Sequence, residues 1–134
     1  MYSLKDGEWA GMLLGKSEEI ENVLRKLLEE VPQIEGAAVV SVEGLPIASS
    51  LPPEIDDVRL AAITAAILSL GERAVQEFEK GFVDEVYVRG SEGYILVMGA
   101  GPNAVLTVSA SKDANLGVVR LYMKRAAEKL AELI

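Results

Sequence analysis

The sequence has neither cysteine nor histidine among its 134 residues. Without cysteine the chain has no disulfide, no thiolate ligand for a metal and no redox chemistry at sulfur. Without histidine it lacks the side chain that most often acts as a general base or as a metal ligand. We predict a protein that is not an enzyme, with no catalytic residues, no cofactor and no metal, because no catalytic triad, metal-ligand set or phosphate-binding loop occurs in the context that its chemistry requires.

Positive charge is also scarce, with 13 basic against 21 acidic residues and a formal net charge of −8. This balance disfavours a nucleic-acid partner, because such proteins rely on basic patches to bind the phosphate backbone. It equally disfavours docking on anionic membranes. No uncharged run approaches the ~20 apolar residues of a membrane span, and the N-terminal residues lack the features of a signal peptide. We expect one globular domain in the cytoplasm, with no membrane insertion.

The segment Asp56–Lys80 is predicted to be the central helix, because its uncharged run Leu60–Gly71 is rich in alanine and leucine. Asp56 and Asp57 are its candidate caps. The bulky residues share one broad face of a helical wheel, which we expect to cover a sheet. This face comprises Leu60, Ile63, Thr64, Ile67, Leu68, Leu70, Ala74, Val75 and Phe78.

The opposite face of this helix carries small residues where a solvated helix would carry charges. Small side chains allow close approach by another element, so we predict a seam for self-association there. The seam comprises Ala61, Ala62, Ala65, Ala66 and Ser69, followed by Arg73. If two copies cross antiparallel near Ala65, Arg73 faces the partner's Asp57; a solvent-exposed arginine is the equal alternative.

The chain before the central helix is predicted to form an arm, a helix and a hairpin. Residues 1–16 are assigned to an N-terminal arm, and residues 17–134 to the domain. The arm is expected to pack on the domain or on a partner through Trp9, Met12, Leu13 and Leu14. Ser17 is a natural N-cap for a first helix that ends at Pro32. The hairpin spans Gly36–Ser50, turning at Glu43 and Gly44. Pro46 should place its second strand at an edge or at an irregularity, because proline lacks a donor.

Three strands and a helix are predicted after the central helix. The strands are Phe82–Arg89, Tyr94–Gly99 and Ala104–Ala110, and the last helix opens near Asn115. The second and third of these strands are apolar at nearly every residue, so both of their faces should be covered. The sheet therefore needs helices on both sides.

Several short motifs look chemical, but their context favours structural roles. Gly11–Ser17 resembles a phosphate-binding loop, yet its glycines are too close together and no buried strand precedes it. Gly99–Ala104 resembles a dinucleotide fingerprint, yet a strand follows where a helix is required. The adjacent carboxylates and the serines lack convergent partners or an activating histidine. The basic residues of the last helix, which we interpret as an exposed flank rather than a docking patch, are Arg120, Lys124, Arg125 and Lys129.

Four segments of the chain are informative when taken together in their order and spacing. They are Gly36–Ser49, the small-residue helix Leu60–Gly71, the run Gly93–Met98 and the closing Ala114–Arg120. In this arrangement they resemble the Roadblock family, which includes dynein light chains, late-endosomal scaffold subunits, and bacterial and archaeal partners of Ras-like GTPases. The resemblance covers about residues 17–134.

The resemblance implies an α/β (α+β) fold with a five-stranded antiparallel sheet, in the order α-β-β-α-β-β-β-α. The first and last helices lie on one face and the middle helix on the other, as in profilin-like domains. It also implies a dimer made by the middle helix and the edge strand after it, Phe82–Arg89, to which Val86 and Val88 would contribute.

The function implied by the resemblance is a homodimeric, non-enzymatic regulator or adaptor that binds a small Ras-like GTPase, with a GTPase-activating role among its options. The predicted contact residues are Glu54, Arg59, Glu72, Arg73 and Gln76. The alternatives are a scaffold that recruits a larger complex without altering nucleotide turnover and, behind it, a small-molecule sensor. Pairing with a related Roadblock-type subunit is also open.

Overall fold

The computed structural model describes residues 6–134, with side chains described from residue 16 onward. The order of elements is the predicted one, with three helices and five strands. They are α1 (Asp6–Glu30), β1 (Ile34–Ser41), β2 (Pro46–Ser50), α2 (Asp57–Glu77), β3 (Glu85–Gly90), β4 (Gly93–Gly99), β5 (Ala104–Ser111) and α3 (Leu116–Leu133).

The five strands form one antiparallel sheet in the order β2-β1-β5-β4-β3, so β2 and β3 are its edges. The prediction for Pro46 is confirmed on both counts, since it lies in an edge strand and beside an irregularity. Val39 pairs with Ala48, but the next residue, Val40, pairs with Pro46, so the register skips Ile47. Proline thus sits where the ladder is already interrupted.

The sheet is covered on both faces, as its apolar strands predicted. Helices α1 and α3 pack on one face and build the larger core, around Leu24, Leu106 and Met123. Helix α2 covers the other face over a smaller cluster, whose buried residues are Ala38, Val40, Ala61, Val97 and Val105. The predicted fold class and the placement of the helices are therefore confirmed.

The first helix begins earlier than the sequence indicated. Helix α1 runs without a break from Asp6 through Ser17, so the assignment of Ser17 as its N-cap is wrong. The intervening glycines cost about 1 kcal/mol each in a helix but do not forbid it. The helix crosses the proposed boundary at residue 16, and the predicted packing of Trp9, Met12, Leu13 and Leu14 lies outside the described side chains.

The connection from α2 to β3 is longer than predicted, because β3 begins at Glu85 rather than Phe82. Helix α2 closes with Lys80 N–H donating to the Val75 carbonyl and Glu79 N–H donating to that of Gln76. Glu79 has a positive φ of 55° and Gly81 one of 87°, so the chain reverses before the strand starts. In the described part of the chain, no helix combines the length and apolar character needed to cross a bilayer.

Candidate interaction surface

Helix α2 starts at a side-chain cap, and its orientation on the sheet follows from two buried residues. The Val58 N–H donates to Asp56 Oδ1 at 2.9 Å, so the predicted capping role of Asp56 is confirmed. Ala61 and Thr64 are the fully buried residues of the helix. A small side chain at Ala61 lets the helix axis come close to the sheet, so this side faces inward.

The bulky face of α2 is only partly turned to the sheet. Leu60, Ile67 and Leu68 pack against the smaller core cluster. Ile63, Leu70 and Phe78 are 52%, 68% and 75% exposed, so placing them against the sheet was wrong. The same holds for Ala74, which is also exposed. When more than half of a helix surface is apolar, a wheel does not say which part of it faces the core, and here the part around Ala61 and Thr64 does.

The small residues of α2 are partly explained within one copy, by the turn of the first hairpin. Gly44 adopts a φ of 95°, and a Cβ added there would lie 3.3 Å from Ala65 Cβ and 3.6 Å from Ala62 Cα. Alanine at these positions therefore leaves room for the turn. Ala61 is fully buried, so its assignment to an outward seam is wrong. The seam residues that are exposed, where self-association stays a prediction, are Ala62, Ala66, Ser69 and Arg73.

The other flank of α2 faces the edge strand β3. A Cβ on Gly71 would lie 3.1 Å from Val86 Cγ2 and 3.5 Å from Val83 Cγ2. Beside Gly71, apolar residues recur every three or four positions and so form one line along the helix. We call this line the α2 stripe. It comprises Ile63, Ile67, Leu70, Ala74 and Phe78, all of them exposed or half-buried.

The α2 stripe runs beside a sheet edge that has no neighbouring strand among residues 6–134. Strand β3 pairs with β4 on one side only, so its other side presents unpaired backbone groups. Val86 is half-buried against the cluster under α2, whereas Val88 is 45% exposed. The predicted interface residues Val86 and Val88 thus lie at the free edge of β3, next to the α2 stripe.

The five predicted GTPase contacts fall at two ends of α2. Arg73 and Gln76 line an open depression of about 260 Å³ together with Glu77 and Glu79. Glu54 lies in the loop before the helix, roughly 30 Å from that depression at 1.5 Å per residue. A single copy therefore does not bring the predicted contacts together. The remaining two are Arg59, exposed in the first turns, and Glu72, half-buried near the end.

The serines and carboxylates that were considered for catalysis or metal binding make structural contacts or are isolated from one another. Ser41 Oγ accepts from the Leu45 N–H at 3.0 Å in the hairpin turn. Among the described residues, no group of three or more carboxylates is arranged to hold a metal ion. Glu85, which follows the carboxylate of Asp84 in sequence, accepts two hydrogen bonds from Arg120. Sequence reasoning missed this contact, because no local pattern joins residues 35 positions apart.

The chain matches the model of a known protein family. The Roadblock/LC7 domain model matches residues 20–110. The uncharacterized protein MJ1340 of Methanocaldococcus jannaschii is 36% identical over 111 residues, which cover 83% of this chain and 96% of the relative.

Two solved structures have a fold similar to that of this chain over most of its length. A structure described as MglB with tetrameric arrangement is similar with a TM-score of 0.81 and 26% identity, covering 87% of this chain and 88% of that one. A Roadblock/LC7 domain from Streptomyces avermitilis has a TM-score of 0.79 at 24% identity, with coverages of 84% and 94%. The latter likeness shows the fold alone.

Proposed function

This chain belongs to the Roadblock/LC7 domain family, and on that premise we propose that it is a non-enzymatic, homodimeric regulator or adaptor of a small Ras-like GTPase in the cytoplasm. The observation that carries the proposal is the uncovered α2 stripe beside the free edge of β3. That this partner is a GTPase is proposed from the family resemblance, because the α2 stripe by itself indicates only a protein partner.

The exposed part of the stripe is unusual for the surface of a protein that works alone. Large apolar side chains at Ile63, Leu70 and Phe78 lie on one line of the same helix. Contiguous apolar surface next to an unpaired strand edge is typical of an interaction site. A second copy could cover both features at once, with the two β3 strands pairing and the two α2 helices packing. The tetrameric arrangement of the similar MglB structure supports self-association.

An antiparallel pair would also assemble the predicted contact surface. In one copy, Glu54 and Arg59 lie at the start of α2, and Arg73 and Gln76 at its end. Antiparallel packing brings the start of one helix beside the end of the other. The contacts that a single copy separates would then form two equivalent clusters on the dimer.

Charge favours a basic surface on the partner. The chain carries a formal net charge of −8, so a dimer would carry twice that charge. Complementary charge raises the rate of encounter between proteins and suppresses wrong partners. We expect the docking face of the GTPase to be rich in lysine and arginine, and binding to weaken as salt is added.

Arg59 and Arg73 are the residues to test for an effect on hydrolysis. Both are exposed, and neither forms an ion pair with another residue in the range 16–134. An arginine placed on the transferring phosphate stabilises the transition state. Reorganisation of the GTPase's own residues is the other route, and it would leave hydrolysis insensitive to either arginine.

The proposal is tested with the Ras-like GTPase encoded beside this protein, if one is present in the genome, or otherwise with those of the same organism. A regulator should bind one nucleotide state in preference and should change the rate of GTP hydrolysis or of nucleotide release. Binding with both rates unchanged would instead establish a scaffold. Binding to none of these GTPases would refute the GTPase proposal, and thermal stabilisation by a metabolite alone would then favour a sensor.

A further inference from the structure

An apolar cavity of about 250 Å³ lies between the start of α2 and the sheet. Its wall includes the apolar side chains of Leu51, Pro52, Ile55, Leu60 and Ile95. An apolar cavity of roughly 150 Å³ is enough to bind benzene. The cavity therefore has room for an aromatic ring.

Phe78 is an uncovered aromatic side chain at the other end of the same helix. It is 75% exposed, although its backbone is fixed by a hydrogen bond from its N–H to the Ala74 carbonyl at 3.1 Å. The helix terminus beyond it is also hydrogen-bonded, through Glu79 and Lys80. Phe78 therefore presents an apolar ring to water from a fixed backbone position, at the end of the α2 stripe.

One copy cannot place its own Phe78 in its own cavity. Ile55 and Phe78 flank α2 on opposite ends, roughly 30 Å apart along a rigid helix. An antiparallel partner removes this separation. Suppose that the two α2 helices cross at Ile67, the middle of the α2 stripe. Phe78 of one copy then lies opposite Asp56 of the other copy. Asp56 directly follows Ile55, which lines the cavity.

We propose that Phe78 of each copy inserts into the cavity at the start of α2 in the other copy, so that the dimer has two identical contacts of this kind. The proposal rests on the proposed homodimer and adds its anchoring residue, its receiving site and its register. Two observations support a second copy as the occupant. The stripe that ends in Phe78 is continuous with the free β3 edge, and the exposed ring and the cavity are complementary in size and polarity.

The absence of native cysteine gives a direct test by disulfide cross-linking. The variant Phe78→Cys/Ile55→Cys is oxidised and separated on a non-reducing gel. A disulfide needs Cα atoms within about 7 Å, so these positions can join only between copies. We expect a covalent dimer. The matched control, Phe78→Cys/Leu121→Cys, carries its second cysteine on α3, across the sheet, and should stay uncrosslinked.

The outcomes separate this inference from the proposals on which it rests. Light scattering first establishes whether the unmodified chain is a dimer, and GTPase binding is measured independently. A dimer without the Phe78–Ile55 cross-link would overturn the inference and leave the homodimer intact. A cross-link in the single variant Phe78→Cys would also overturn it, since both copies of Phe78 would then meet. A stable monomer would contradict both the proposed homodimer and the proposed insertion of Phe78.

A substitution gives a second readout that does not depend on oxidation. Phe78→Ala should weaken the dimer by about a hundredfold or more, because two buried rings are lost per dimer. Leu121→Ala is the matched control, since Leu121 is 48% exposed on the opposite layer, and its dissociation constant should not change. Phe78 is exposed in one copy, so folding of the variant, followed by circular dichroism, should be retained. Equal dissociation constants for Phe78→Ala and the unmodified chain would contradict the proposed insertion of Phe78.

Discussion

Arg120 of α3 holds Glu85 at the first position of the edge strand β3. The Arg120 Nε donates to Glu85 Oε2 at 3.0 Å, and Nη2 donates to Oε1 at 3.3 Å. The same guanidinium lies over the Tyr87 ring, 5.7 Å from its centroid. Two side chains of β3 are thus fixed by one residue of α3. The edge strand that we propose as a dimer contact is therefore anchored to the layer on the opposite face from α2.

Arg120→Ala should lower the free energy of unfolding by about 1 kcal/mol, because the two-point hydrogen bond from this half-exposed arginine to the mostly buried Glu85 carboxylate is lost. Arg125→Ala is the matched control. Arg125 also stacks on a tyrosine, Tyr122, at 5.4 Å, but has no ion pair among the described residues. Urea unfolding of the two variants compares them directly. Equal losses would show that the Glu85 contact adds nothing.

The fold was predictable because its determinants are local. Apolar runs marked the strands, while Asp56 and Asn115 marked the starts of α2 and α3. Both caps are present, with Asn115 Oδ1 accepting from the Val118 N–H at 3.2 Å. The start of α1 was not predictable in this way, since a serine that suits an N-cap, such as Ser17, can also lie inside a helix.

The interaction surface was less predictable, because it depends on the rotation of α2 about its axis. That rotation is set by Gly44 packing on Ala62 and Ala65, and by Val86 packing against Gly71. Both contacts join residues distant in sequence. Small residues could therefore serve either a partner or the hairpin turn, and the sequence alone could not separate these two roles.

Ile63→Glu should convert the proposed homodimer to a monomer without unfolding the domain. Ile63 is 52% exposed in one copy, so a charge there is tolerated in the monomer but costly at a packed seam. Light scattering gives the mass, and circular dichroism checks the fold. Leu121→Glu places the same charge at a similarly exposed apolar position on α3 and should leave the mass unchanged. A fully dimeric Ile63→Glu variant would argue against the α2 stripe as the contact.

Arg73→Ala should weaken GTPase binding by about tenfold, the loss expected for one charged contact of roughly 1.4 kcal/mol, while the mass of the dimer stays unchanged. Arg25→Ala is the control, because Arg25 is an exposed arginine on α1, on the other face of the sheet. Titration calorimetry measures both affinities. If Arg73→Glu and Arg73→Ala both dissociate the dimer, Arg73 belongs to the seam. That result would favour a crossing near Ala65, where Arg73 faces the partner's Asp57, over the crossing at Ile67.

Thr64→Val should raise the free energy of unfolding by about 1 kcal/mol. Thr64 is fully buried, and its Oγ1 has no hydrogen-bond partner among the described atoms. Valine keeps the shape of the side chain and removes the unsatisfied hydroxyl. Thermal unfolding measures the change. Thr107→Val is the comparison, since Thr107 is also buried but is not among the unsatisfied groups, and it should gain less. A lower stability of Thr64→Val would mean that the hydroxyl has a role in the fold.

Ala65→Leu should destabilise the domain by about 1–3 kcal/mol, because the added atoms meet the hairpin turn at Gly44. Ala66→Leu, one position along, points to the exposed side of α2 and should change stability by less than about 0.5 kcal/mol. Both are made in the Ile63→Glu background, so that loss of the dimer does not enter the comparison. Urea unfolding measures the two free energies. Equal stabilities would mean that Ala65 is not kept small by Gly44, and the partner copy would again be the better explanation for the small residues of α2.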